Sequence, residues 1–174
     1  AGIVHIWLKL VAAESDAMPG YAKLTHGLPA NRVTYLDPIK AEAQPLPFMF
    51  PDARYAVCRY DASRSVIRLR AVLPEAGWSL SLHAPSGANF YFVPGAEDRV
   101  TRIDLLLQPA GTAYFNPQAT AGSGGGERPT LSLQETEGIA VLKAPLKGLA
   151  YRRQTDLAMN SFACAPEPNA VARR

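Results

Sequence analysis

The sequence predicts a mainly β chain, an antiparallel sandwich or barrel. Strand-like runs recur about every ten residues from residue 54 onward, the spacing of all-β domains. Turn residues separate the runs, and 15 prolines and 13 glycines favour β over a helical bundle. Polar and apolar residues alternate along several runs, the period-2 pattern of a half-buried sheet. Of the 174 residues, 48% are hydrophobic and 19% charged, which suits one domain with a core of its own and excludes a disordered chain.

The amino end, "AGIVHIWLKLVAA", is apolar except for His5 and Lys9. Residues 1–18 are read as a helix, because Ile3, Ile6, Trp7 and Leu10 share one face at helical spacing. The apolar run is shorter than the roughly 20 residues that cross a bilayer. It fits a core helix, an interfacial helix or the remnant of a membrane anchor, and those four residues are candidate membrane or partner contacts. Residues 19–166 form the predicted β domain and residues 167–174 a frayed tail.

Within the domain, residues 21–53 read as irregular, with one short strand at 32–36. "QPLPFMFPDA" carries three prolines, which forbid a helix. It is expected to lie extended over the core, with Leu46, Phe48 and Phe50 on one side. Strands are expected at 54–60, 66–73, 78–84, 88–93 and 101–108. Residues 116–129, with their glycines at 122–126, read as a flexible loop. They lack the Lys-Ser/Thr ending of a phosphate loop. Residues 130–134 and 138–144 read as a final strand pair joined at "ETEG". From Lys147 the pattern becomes helical, with Leu149 or Ala150, Leu157, Ala158, Ser161 and Phe162 on one face and Cys164 at the end.

Alternation also sorts the candidate site. At 78–83, Trp78, Leu80 and Leu82 face one way, and Ser79, Ser81 and His83 the other. At 67–71, Arg68 and Arg70 take the polar side. If the two strands were antiparallel neighbours, the polar rows would meet. The row is then a cleft, with His83 as base or hydrogen-bonding group, serine hydroxyls as donors and an arginine clamp for an anion, or it is the solvent face of a sheet. The solvent face is the preferred reading. Serine and histidine two residues apart sit about 6.5 Å from each other along a strand, and no G-x-S-x-G elbow is present. Asn89, with Tyr91 and Phe92, either lines a small pocket or caps a turn beside core.

Other chemistries find less support. Asp61, Asp98, Asp104, Glu135 and Glu137 look like turn or edge residues, not a glycosidase pair. Three scattered histidines and no CxxC argue against a metal, and no cofactor is expected. A net charge of +3 without a basic, aromatic-interleaved stripe argues against nucleic acid. Cys58 and Cys164 are either a disulfide or two independent buried thiols; spacing does not choose.

"PLPFMFPDARYAVCRYD", "VIRLRAVLPEAGWSLSLHAPSGANFYFV", "RIDLLL", "GIAVLKAPL" and "SFACAP" resemble the bacterial family called domain of unknown function 1254. The likeness is closest to its short, single-domain, membrane-anchored proteobacterial members and covers most of residues 21–166. It implies a β-sandwich of jelly-roll type, an N-terminal inner-membrane helix, a body on the periplasmic side and a Cys58–Cys164 disulfide. It carries over no catalytic residue, and His83 departs from the family's acidic or Asn-rich turn. The family is often accompanied by the domain of unknown function 1214, a candidate partner. The expectation is a binding or accessory subunit of a membrane or envelope complex. The alternative is an enzyme, or a carbohydrate- or anion-binding domain, using the polar face around His83.

Overall fold

The computed structural model describes residues 20–40, 44–46, 49–110 and 128–167. The expected helix at 1–18, with Ile3, Ile6, Trp7 and Leu10, lies outside them, as do most of the Gly-rich segment, Phe48 and the tail from 168.

Among the described residues, nine strands and two short α-helices follow in order. Helix α1 is Gly20–Thr25, in a stretch expected to be irregular. Strand β1 is Val33–Tyr35, β2 Ala53–Asp61, β3 Ile67–Leu73, β4 Ser79–His83, β5 Asn89–Pro94 and β6 Thr101–Pro109. Then come β7 at Thr130–Leu133, β8 at Glu137–Pro145, helix α2 at Arg152–Met159 and β9 at Ala163–Pro166. One sheet has the order β1-β2-β8-β4-β5 and the other β7-β6-β3-β9. Pairing is antiparallel except between β6 and β7, which run parallel.

The two sheets share one core because alternation points one row of each strand inward. From the five-stranded sheet come Ala56, Cys58, Tyr60, Leu80, Leu82, Ala140 and Leu142. Facing them are Ile67, Leu69, Leu73, Ile103, Leu105 and Leu107. Each fully buried leucine or isoleucine contributes about 1.5–3 kcal/mol. Ala158 and Met159 of α2, and Phe162 after it, belong to the same core. The Ser161 hydroxyl accepts from the Val72 N–H at 3.0 Å and donates to the Ala158 carbonyl at 2.6 Å, tying the end of α2 to β3.

Cys58 on β2 and Cys164 on β9 form a disulfide across the two sheets, with Cα atoms 6.4 Å apart and a sequence separation of 106. Closing so long a loop stabilises the fold by about 4–5 kcal/mol on the chain-entropy model.

Three expectations are corrected. Strands β7 and β8 are not a pair: β7 joins β6, while β8 lies between β2 and β4. Strands β3 and β4 are not sheet neighbours either. The link Pro74–Gly77 carries the chain from one sheet to the other, helped by Gly77 at φ +87°. In both cases the apolar rows still meet the same core, so alternation alone cannot tell a hairpin from an inter-sheet crossing. The third concerns the carboxyl end. Helix α2 is only eight residues long and follows a single 3-10 turn at Leu149–Tyr151. It buries Thr155, Ala158 and Met159, while Leu157 is 65% and Leu149 85% exposed. Cys164 sits on β9, which pairs with β3, not at a helix end.

Candidate functional site

The outer face of the five-stranded sheet is a lattice whose rows follow from register. Ser79 stands opposite Lys143 on β8 and Pro94 on β5. Ser81 stands opposite Val141 and Phe92. His83 stands opposite Ile139 and Asn89, after an irregularity between Leu82 and His83. Leu80 and Leu82 are buried, so Ser79, Ser81 and His83 must point outward, and all three are half-buried. The His83 imidazole closes the distance that the strand imposes, with Nε2 3.0 Å from the Ser81 Oγ. Among the described residues, no carboxylate contacts the other ring nitrogen, and no acid completes a serine-hydrolase triad.

Part of this face is covered. Leu36, Ile39 and Met49 pack with Ala53, Tyr55 and Val141 in a second apolar cluster. Met49, from the proline-rich segment, therefore lies against the outer face of the sheet. Phe50 marks the edge of that cluster: its N–H donates to the Tyr55 hydroxyl at 3.1 Å, and the Lys143 ammonium stands 5.0 Å over its ring. Burial, ahead of any charge, pushes the Tyr55 phenol above its ordinary value. Beyond Lys143 the β4 row is uncovered, and Phe92, 58% exposed, flanks Ser81. Asn89 is turned to local work, its Oδ1 accepting from the Tyr91 N–H at 3.1 Å. Tyr91 is half-buried against the core.

Beneath His83 the backbone is pinned. A Cβ on Gly138 would stand 2.1 Å from the Tyr60 hydroxyl and 2.5 Å from the His83 carbonyl oxygen, so no side chain fits there. Among the described residues, the buried Tyr60 hydroxyl has no hydrogen-bond partner. Burial first, then the Tyr21 phenol and Glu135, holds Tyr60 well above the usual tyrosine range.

The arginines lie on the other sheet, facing away. Arg68 does not wait for a ligand: its Nε donates to Asp104 Oδ1 at 2.7 Å and its Nη2 to Oδ2 at 2.6 Å. The Arg68 hydrogen bond, the largest cause, holds the Asp104 carboxyl below the usual carboxylate range. Glu167 lies 3.7 Å from Arg68 and 2.5 Å from Arg128, which closes a four-residue ion network. Arg70 is exposed, in register with Asp104. The structure thus brings Ser81 and His83 together and separates them from Arg68 and Arg70 by the thickness of the core, because β3 and β4 belong to different sheets. Asp104, expected at a turn or edge, stands mid-strand in β6 between β3 and β7. Its signal was present, since in "TRIDLLLQP" it alternates with buried Ile103 and Leu105 and shares the Arg68 face. Lys143, Arg128 and Glu167 gave no local signal, because sheet order sets their neighbours. Phe50, expected to lie over the core, is instead 58% exposed.

Among the described residues, no helix is long and apolar enough to cross a membrane, and no three His, Cys, Asp or Glu side chains are grouped to hold a metal.

No family model matches the chain. No curated protein matches it either. Solved structures do. One is the VPA0106 protein from Vibrio parahaemolyticus, with TM-score 0.56 and 9% identity over 89% of this chain and 38% of that one. Another, an uncharacterized protein from Burkholderia cenocepacia, has TM-score 0.48 and 14% identity over 87% of this chain and 40% of the other. The chain spans about two-fifths of the length of either. At 9% identity the first shows a shared fold and nothing of activity.

Proposed function

We propose that this chain is the periplasmic β-sandwich of a protein tethered to the bacterial inner membrane, and that it works by binding, as an accessory subunit of a membrane or envelope complex. The Cys58–Cys164 disulfide carries this reading, since such bonds persist in oxidising compartments and are rare in the cytosol. The resemblance to the domain of unknown function 1254 family supports the tether and makes its companion, the domain of unknown function 1214, the first partner to try. The jelly-roll topology belongs to the same proposal. It is supported by the alternation of the chain between sheets at β2-β3-β4 and again at β7-β8-β9.

The test uses the full-length protein with its native N-terminus. Cell fractions are probed for the protein, its thiols are alkylated with and without reductant, and in-cell crosslinks to the companion are sought. The expected result is an inner-membrane protein, cleaved by protease added to spheroplasts, with both cysteines oxidised and a discrete crosslinked species. A cytosolic protein with two free thiols would sink the proposal.

A second reading rests on the Ser81–His83 contact beside exposed Phe92. Hydroxyl, imidazole and an aromatic flank can hold a small polar ligand such as a saccharide. The reading is one of binding, because among the described residues the imidazole meets a hydroxyl and no carboxylate. Glycan-array binding that Phe92→Ala and His83→Ala both abolish would favour it, and a blank array would remove it.

A further inference from the structure

Helix α2 and the 3-10 turn before it carry apolar side chains on the wrong side for the core. Of the nine large hydrophobic residues that stand exposed among the described residues, four lie between 146 and 157: Leu146, Leu149, Tyr151 and Leu157. Leu149 is 85% and Leu157 65% exposed, the two highest values in that set. Thr155, Ala158 and Met159 face the core. At about 100° per residue, Arg153 and Leu157 then point directly away from it. Leu149, one turn earlier, extends the same line. The result is a convex ridge of Leu149, Arg153 and Leu157, four residues apart, with Leu146 and Tyr151 next to its start. A single exposed leucine is ordinary. Two of them aligned on the outer pole of a helix add nothing to the fold.

The charges of this segment do not serve the fold either. Residues 147–160 hold three cations and one acid. The acid, Asp156, is held by Arg54, and Lys147 is held by Glu75 at 2.6 Å, its ammonium 6.0 Å over the Tyr151 ring. Asp52, whose carbonyl accepts from the Leu146 N–H at 2.8 Å, borders the Leu146 end. Arg152 and Arg153 are exposed and meet no acid among the described residues. They occupy the first turn of α2, which contains no acid, although the helix dipole favours acids there and disfavours cations. Exposed arginines stand elsewhere too, but among the described residues only this segment interleaves them with exposed leucines. An anionic surface brought against the ridge would turn both arginines into favourable contacts.

We infer that this ridge docks on the surface of a bilayer that contains anionic phospholipid. A protein groove that takes a helix needs apolar anchors at successive turns. Here the middle position is Arg153, which such a groove would bury at high cost unless it supplied an acid. A bilayer surface accepts the same row as it stands. Leu149 and Leu157 enter the acyl boundary, the Arg153 stem lies between them, and its guanidinium stays with the phosphates. Tyr151, with an apolar ring and a polar tip, suits the headgroup level. The opposite side of α2 keeps Thr155, Ala158 and Met159 in the core, so docking requires no unfolding. The ridge is separate from the Ser81–His83 face, and the inference does not depend on the tether or the partner.

The probes are vesicles of phosphatidylcholine alone and of phosphatidylcholine with about one-third phosphatidylglycerol, sedimented with the full chain. The expected result is that the chain binds the anionic vesicles about tenfold tighter than the neutral ones. Salt at about 1 M should remove the difference by screening. Arg152→Gln with Arg153→Gln lowers anionic binding about tenfold, toward the neutral level. Leu149→Ser with Leu157→Ser weakens binding to both compositions about tenfold. All four side chains are exposed, so both double variants keep their fold and their amide spectra outside the ridge. With the ¹⁵N-labelled chain, anionic bicelles carrying a spin-labelled lipid broaden the amides of residues 146–157 and spare those of β4 and β5. Binding unchanged in either double variant, equal binding of the two vesicles, broadening confined to other residues, or no binding at all would each overturn the inference. Amide shifts at residues 149–157 with polyglutamate but none with vesicles would give the ridge to an acidic protein and overturn the bilayer.

Discussion

The two outer faces of this protein spend their polar groups in opposite ways. On the four-stranded sheet, Arg68, Asp104, Arg128 and Glu167 neutralise one another, leaving a matched, solvated surface. On the five-stranded sheet, Leu36, Ile39 and Met49 roof the rows of Ala53, Tyr55 and Val141, and the β4–β5 side carries hydroxyls, an imidazole and exposed Phe92. Charge density alone would nominate the first face as a site. Counting partners nominates the second, because a group already paired has little left to offer a ligand.

The comparison can be broken most forcefully at the bond joining the layers. Cys58→Ala with Cys164→Ala is expected to cost about 4 kcal/mol in guanidinium unfolding. A loss under about 1 kcal/mol would mean that the core alone holds the two faces in place. Next is Gly138→Ala, where a methyl would collide with Tyr60 and the His83 carbonyl. Overpacking of that kind costs about 3 kcal/mol, and the His83 ring signals in NMR spectra should shift with it.

Tyr60→Phe has the opposite sign. Removing an unpartnered buried hydroxyl should stabilise the fold by about 1 kcal/mol. It should also soften the alkaline limb. The native phenol stays protonated above pH ~10, where unfolded tyrosine ionises, so stability falls as pH rises past that point. Asp104→Asn tests the matched face in acid. Asp104 titrates below its unfolded value, so its contribution is complete above about pH 3.9 and fades as pH falls through the native value. The variant should lack that acid slope and lose little at neutral pH, because the pair is half in water. The smallest effect is expected from Ser81→Ala and His83→Ala, each within about 0.5 kcal/mol of the parent. A larger loss would make the dyad structural and weaken the contrast between the faces.

Strand positions were legible because alternation and turn residues are local. The segments expected at 54–60 and 138–144 differ from β2 and β8 by one residue at each end. Sheet membership was not legible. Whether Pro74–Gly77 folds β4 back beside β3 or across the core depends on contacts with β6, β8 and β9, none of them near in sequence. That one ambiguity misplaced the arginines relative to Ser81 and His83. Strand β9 escaped for another reason: "ACAP" is too short to show a period, and only its register on β3 makes it a strand. The partnership of Cys58 and Cys164 could be suggested by likeness to a family, but it takes β2 facing β9 to bring the two sulfurs together.

The disulfide has a mechanical consequence. A pull applied between residues 20 and 167 runs along β2 to Cys58, across the sulfur bridge and out through Cys164. The span between the cysteines, a sequence separation of 106, lies off that load path. Force can peel α1, β1 and the first part of β2, yet β3 to β8 cannot be drawn out end to end while the bridge stands. Reduction would release about 350 Å of stored contour length in one step. Under load the domain would then be nearly inextensible when oxidised and a long compliant tether when reduced.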